Sequence, residues 1–151
     1  TKLFLQCIPN VAIFGEKDYQ QLQIIRSLVK DLNMDIDICG VPTVREEDGL
    51  AMSSRNVYLN AEERTRASKI SVVLSTSARQ LSDGIPVDQE LNNAFIKFAS
   101  LVGETPEYLE LCDAQDLEII KQVRKPARLL VAVKLGKTRL IDNWPVSPIN
   151  S

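Results

Sequence analysis

The sequence predicts an α/β chain in two parts: one βαβ unit of a parallel sheet, then a small α+β part with antiparallel strands. Three observations carry this. A continuous apolar run, a helical stretch and an alternating run follow one another before Pro42. A charged break, Val44-Arg45-Glu46-Glu47-Asp48-Gly49, comes next. Beyond it, helical periodicity gives way near the end to a strand–turn–strand pattern.

Val11-Ala12-Ile13-Phe14 is a short apolar run stopped by Gly15, as in a strand buried on both faces. Leu22, Ile25, Leu28/Val29 and Leu32 recur at three- and four-residue spacing and line one helical face. Asp18 with Gln21 has the pattern of a capping box, and Asn33 suits the far end. Met34, Ile36 and Ile38 alternate with Asp35, Asp37 and Cys39, which predicts a strand over 34–41. Strand, crossover helix and strand make a right-handed βαβ unit. One such unit is not a whole sheet, and the chain offers no further parallel strands.

A domain boundary is expected near residues 42–45, dividing the chain into 1–43 and 44–151. Asn60 with Glu63 forms a second capping-box pattern. Ile70, Val73/Leu74, Ala78 and Leu81 then mark a long amphipathic helix ending at Gly84. Asp88 is placed to cap another, with Leu91, Ala94/Phe95, Phe98/Ala99 and Val102 inward and Gly103 after its end. Residues 108–112 read as a strand. Residues 129–135, the Gly136-Lys137-Thr138 turn and residues 139–143 read as a hairpin.

Composition narrows the function. The 151 residues carry 18 Lys+Arg and 20 Asp+Glu, a formal charge of −2, and 44% are hydrophobic. This is an ordinary globular composition, and its charge balance argues against a nucleic-acid or polybasic membrane binder. No apolar run is long enough for a membrane span. There is no histidine, which excludes imidazole bases, Ser-His-Asp triads and His metal sites from the chain itself. Cys7, Cys39 and Cys112 are far apart and show no Cys-x-x-Cys pairing. They read as free thiols, buried as small apolar groups in a reducing cytosol, and no metal site is expected.

Two clusters can carry chemistry. Gly15-Glu16-Lys17-Asp18-Tyr19-Gln20-Gln21 sits where a strand ends and a helix begins. Ligands bind there in open α/β sheets, because the helix N-terminus offers N–H groups and partial positive charge. Lys17 adds a full charge. The plainer alternative stays open: Gly15 makes the turn, Asp18 and Gln21 cap the helix, and Lys17 is solvated. The second cluster is Met52-Ser53-Ser54-Arg55, where two hydroxyls, loop N–H groups and an Arg form a mobile anion clamp. Its alternative is a polar loop in which Ser54 or Asn56 caps the next element. A cleft between a strand-end helix and a hinged loop commonly takes a nucleotide.

Phe14-Gly15-Glu16-Lys17-Asp18-Tyr19-Gln20-Gln21-Leu22 and Asp48-Gly49-Leu50-Ala51-Met52-Ser53-Ser54-Arg55-Asn56 resemble two signatures of the pantoate–β-alanine ligase (pantothenate synthetase) family. Gly40-Val41-Pro42-Thr43-Val44-Arg45 and Arg139-Leu140-Ile141-Asp142-Asn143 fit as well, so the resemblance spans essentially the whole chain. It implies a cytoplasmic enzyme of the coenzyme A pathway. With ATP and Mg²⁺ it joins pantoate to β-alanine through pantoyl adenylate. It also implies a Rossmann-type nucleotide-binding domain, of which residues 1–43 are the C-terminal part. Residues 44–151 become a small C-terminal lid, and the full-length enzyme a homodimer.

By the same resemblance Gly15, Glu16, Lys17, Asp18, Val44, Met52, Ser53, Ser54 and Arg55 bind ATP. Gln21 binds pantoate, and Lys17, Ser53, Ser54 and Arg55 act in catalysis. Residues 52–55 stand where related class I aminoacyl-tRNA synthetases have their KMSKS-type loop. The family's His-x-Gly-His segment is not in this sequence. The chain is therefore expected to be the C-terminal half of a longer enzyme, inactive or nearly so by itself. The alternative is a non-catalytic nucleotide-binding or lid fragment, with residues 11–14 or 34–41 as a sticky sheet edge.

Overall fold

In the computed structural model, which describes residues 1–148, the two strands of the first part lie parallel with a helix between them. β1 (Val11–Gly15) pairs with β2 (Asp37–Val41) in the register Val11↔Asp37 to Gly15↔Val41. A 3-10 turn, Glu16–Asp18, leads from β1 into α2 (Tyr19–Asp31). The far end of α2 closes on Asn33, which takes the left-handed φ of 48°. The Asn33 amide donates to the Lys30 carbonyl and the Met34 amide to that of Val29, a Schellman closure. This closure occupies residues 33 and 34, so β2 starts at Asp37 and not at 34 as the alternation predicts.

Two further expectations fail in this part. Asp18 is the N-cap of α2 but makes no side-chain capping bond. Its backbone, at φ −92° and ψ 61°, leaves the 3-10 turn in a conformation unlike the extended one that a capping side chain needs. Nor is β1 buried on both faces: Val11 and Ile13 are 50% and 69% exposed. Among the described residues of this part, only Tyr19, Leu22, Gln23 and Val29 are buried, all on α2. The sequence pattern also gives no sign of α1 (Lys2–Cys7), which buries no residue and whose Phe4 ring meets Phe14 of β1 edge-on.

Contacts within the chain define two compact units, Thr1–Thr43 and Val44–Ser151. The second unit holds the main core. It runs from a 3-10 segment, Ser54–Tyr58, through α3 (Ala61–Ala67), α4 (Lys69–Ser82) and α5 (Val87–Lys97). A wider turn, Phe98–Val102, extends α5 and ends at Gly103 with φ 73°. The sheet comes last: β3 (Tyr108–Asp113), β4 (Ala127–Leu135) and β5 (Thr138–Val146), antiparallel in the order β3-β4-β5. Phe98, Ile70, Leu74 and Leu81 pack in one cluster with Leu111, Leu129, Val131 and Leu135 from the sheet. The fold class is therefore as predicted: a parallel βαβ unit and a small α+β part.

Details differ where local sequence is ambiguous. The amphipathic helix marked by Ile70, Val73/Leu74, Ala78 and Leu81 is α4, which ends at Ser82 before Gly84; the Asn60 capping box opens a separate helix, α3, and Ser68, whose hydroxyl donates to the Thr65 carbonyl, stands between them. Asp88 is not a cap: α5 begins at Val87 after Pro86, and Asp88 lies in its first turn. The Asn60–Glu63 capping box forms in full, with bonds of 2.9 Å in each direction. The hairpin turn is two residues, Gly136 and Lys137, between the paired Leu135 and Thr138. Gly136 takes the left-handed φ of 55°, which favours glycine, and a Cβ there would have to displace the Glu63 carboxylate. The thiols are free, but only Cys112 is buried; Cys7 and Cys39 are exposed, against the expectation of three buried groups.

Candidate functional site

The first cluster forms one continuous turn in the unit Thr1–Thr43. Gly15 ends β1 with extended backbone, φ −72° and ψ 135°. Glu16 and Lys17 are half-buried on the 3-10 turn, and Asp18 and Gln21 are exposed at the start of α2. The turn thus brings Gly15, Glu16, Lys17 and Asp18 to the N-terminal end of a 13-residue helix, where the helix dipole favours an anion. A Cβ built on Gly15 would meet nothing within 4 Å. Neither turn geometry nor crowding within the chain requires glycine here. Gly40 is different: a Cβ there would approach Leu22, Glu16 Oε1 at 3.2 Å and Arg26 Nη2 at 3.3 Å. Its lack of a side chain lets Glu16 and Arg26 reach over β2.

The second cluster is carried by a tight loop in the unit Val44–Ser151. Arg45 and Ala51 form an antiparallel bridge, and the Met52 amide donates to the Val44 carbonyl at 3.0 Å. Val44 and Met52, both predicted to meet ATP, are thus joined directly and both are exposed. Ser53 caps the 3-10 segment: its Oγ accepts from the Arg55 amide at 3.2 Å. The cap is thus Ser53, not the Ser54 or Asn56 of the polar-loop alternative. Ser54 and Arg55 are exposed. Residues 15–21 and residues 44 and 52–55 therefore form two groups, each assembled within its own unit.

The base of this loop is held by residues that the sequence pattern does not single out. Arg45 donates from Nη1 to Asp142 Oδ2 at 2.7 Å and from Nη2 to Oδ1 at 3.0 Å. It also donates to the Gly49 carbonyl and lies over the Trp144 ring, 4.4 Å from its centroid. Arg64 of α3 donates to Glu46 and Asp48, and Asn56 Nδ2 to Glu46 Oε1 and the Ala51 carbonyl. The hydrogen bonds from Asn56 and Arg64 hold the Glu46 carboxyl below its ordinary pKa. Arg64 does the same for Asp48, and the two carboxylates raise the Arg64 pKa in return. One sequence signal points to the Arg45 contact: Asp142 falls in the same alternating register as Leu140, and an inward carboxylate needs a cation.

Among the described residues, no group of three His, Cys, Asp or Glu side chains is placed to hold a metal ion, and no helix is long and apolar enough to cross a membrane. A sequence profile of the Pantoate-beta-alanine ligase family matches residues 1–145. The chain belongs to that family. A pantothenate synthetase of Sphingopyxis alaskensis is 51% identical over 148 residues, 96% of this chain and 52% of the relative. The chain spans about half the length of the curated relatives it matches. The crystal structure of pantothenate synthetase from Thermus thermophilus superposes with a TM-score of 0.91 at 39% identity, covering 97% of this chain and 53% of that one. A pantoate-beta-alanine ligase from Francisella tularensis, complexed with beta-gamma ATP and beta-alanine, gives 0.68 at 33% identity, covering 95% and 46%.

Proposed function

We propose that this chain carries the C-terminal half of an ATP-dependent ligase that forms pantothenate from pantoate and β-alanine. The observation that carries this reading is the family match along residues 1–145. In the first step a pantoate carboxylate oxygen attacks the α-phosphorus of ATP, and the bond to the β-phosphate breaks, releasing pyrophosphate. In the second the β-alanine amine attacks the acyl carbon of pantoyl adenylate, loses a proton and displaces AMP. Mg²⁺ would arrive on the triphosphate oxygens, its usual partners in nucleotide sites.

The residue types suit this chemistry. Adenylation brings an anion to a polyanion, so the site must position and neutralise rather than supply covalent help. Lys17 and Arg55 supply charge. Ser53, Ser54 and Met52 with the loop N–H groups follow the phosphate oxygens, and Val44 meets the adenine or ribose. Gly15, Glu16 and Asp18 line the nucleotide, and the open space above Gly15 supports close approach by a ligand. Gln21 is exposed and makes no capping bond to Asp18, which leaves its amide available to pantoate. Residues 1–43 then belong to a Rossmann-type nucleotide-binding domain and residues 44–151 to a lid, in a cytoplasmic enzyme that is a homodimer at full length.

A second reading, a nucleotide-binding or lid fragment without turnover of its own, is favoured by the exposed Val11 and Ile13 on β1. Two measurements decide. ATP titration of the purified chain is expected to show weak binding that Arg55→Glu abolishes; no binding removes the nucleotide role. Pantothenate formation by the chain alone from ATP, pantoate and β-alanine would overturn its expected inactivity.

A further inference from the structure

We infer that Arg45 is the positioning residue of the loop that bears Met52, Ser53, Ser54 and Arg55. This rests on the reading of that loop as nucleotide-binding. The loop has a stiff base and a short tip. Its base is closed by main-chain bonds from the Glu46 amide to the Leu50 carbonyl, from Gly49 to Glu46 and from Met52 to Val44. Beyond the tip, Asn56 is tied back to Glu46 and the Ala51 carbonyl. Residues 53–55 lie between the ties at Met52 and Asn56.

Arg45 is the part that joins this base to the sheet. One guanidinium spans the Gly49 carbonyl of the loop, both oxygens of Asp142 and the Asn143 carbonyl of β5. Its face rests on Trp144 of the same strand. The Asp142 side chain is only 3% exposed, so its charge depends on Arg45 for compensation. A planar fork with several donors can make all these bonds at once, whereas the single ammonium of Lys cannot. Arg64 also grips the base, but through Glu46 and Asp48 on the exposed side. Arg45 thus fixes where the tip starts relative to β5, and Arg55 inherits that placement.

The test uses the 151-residue chain as wild type, Arg45→Lys, Asp142→Asn and the double variant. Hydrogen exchange is followed at the amides of Gly49 and Met52, with β4 amides as reference, and ATP itself is the binding probe. Trp144 is the single tryptophan, so its emission reports the Arg45 contact directly. Each single variant is expected to speed exchange at Gly49 and Met52 and to weaken ATP binding by about tenfold, the scale of a charged hydrogen bond. β4 exchange stays at the wild-type rate, Trp144 emission shifts, and the double variant is no worse than the singles. Unchanged loop exchange overturns the clamp. Faster loop exchange with unchanged ATP affinity overturns the positioning role. If Asp142→Asn unfolds the unit, Arg45→Lys decides alone, since it keeps a cation opposite Asp142. If the wild type binds no ATP, the nucleotide reading fails while the exchange rates still judge the clamp.

Discussion

Arg64 closes on the Glu46 carboxylate at 2.6 Å, and this pair ties α3 to the base of the loop that begins after residue 44. Because Asn56 and Arg64 lower the Glu46 pKa, and Arg64 that of Asp48, the folded carboxyls titrate below their unfolded values. Their contribution is present above the ordinary carboxylate range, about pH 4, and is lost as pH falls through the folded values. Acidification below about pH 4 is therefore expected to loosen the loop base before the sheet. The check is thermal melting against pH for wild type and Arg64→Ala. The wild type should lose stability more steeply in acid, and equal slopes would remove the linkage.

A second prediction concerns the thiols. Cys7 and Cys39 are exposed, whereas Cys112 is buried in β3, where burial pushes its thiol up to about 11. Only the thiolate reacts quickly with disulfide reagents. At neutral pH two thiols should react quickly, and the third only after denaturation. Three fast thiols in the native chain would show that β3 opens readily.

The two units should also differ in stability. Phe98 is fully buried among residues of the helices and sheet of the second unit. Its replacement by Ala is expected to cost about 3–5 kcal/mol, as for other large aromatic truncations in cores. The first unit buries Tyr19, Leu22, Gln23 and Val29 and leaves Val11 and Ile13 exposed. Amides of β1 and β2 should therefore exchange faster than those of β4. Phe98→Ala should speed β4 exchange strongly; a uniform change across both units would mean that they unfold as one.

What the sequence disclosed depended on how local the cause is. Asn60 and Asp18 begin the same capping-box pattern, yet only Asn60 forms it. Asn60 has the extended backbone a cap requires, at φ −71° and ψ 172°. Asp18 leaves a 3-10 turn with ψ 61°, and four letters of sequence do not encode that difference. The βαβ order and the hairpin were legible because apolar periodicity and Gly136 mark them within a few residues. The clamp of Arg45 on Asp142 was legible only as an inward carboxylate in need of a cation; that the cation is Arg45, 97 positions away, was not. The same holds for the open face of β1: its apolar residues announce burial, but whether anything covers them is a tertiary fact. Of the predicted site, the grouping of residues 15–18 and of Val44 with Met52 followed from short-range structure. The grip on the loop base did not.

Gly15 gives the sharpest test of the proposed nucleotide site. Glycine is usually demanded by a left-handed φ or by crowding, and Gly15 has neither: φ is −72°, and a Cβ would meet nothing within 4 Å. On the folded chain alone, Gly15→Ala should be neutral or stabilising by about 0.4–1 kcal/mol, through a less flexible unfolded state. If the open space above it admits a triphosphate against the backbone, the added methyl group should weaken ATP binding while melting temperature holds or rises. The two readouts must part company for the site to stand. Lower stability would mean that an unrecognised strain demands glycine. Unchanged stability with unchanged ATP affinity would mean that nothing approaches this end of β1, and the phosphate would then have to be held by Lys17 and the helix α2 without contact at Gly15.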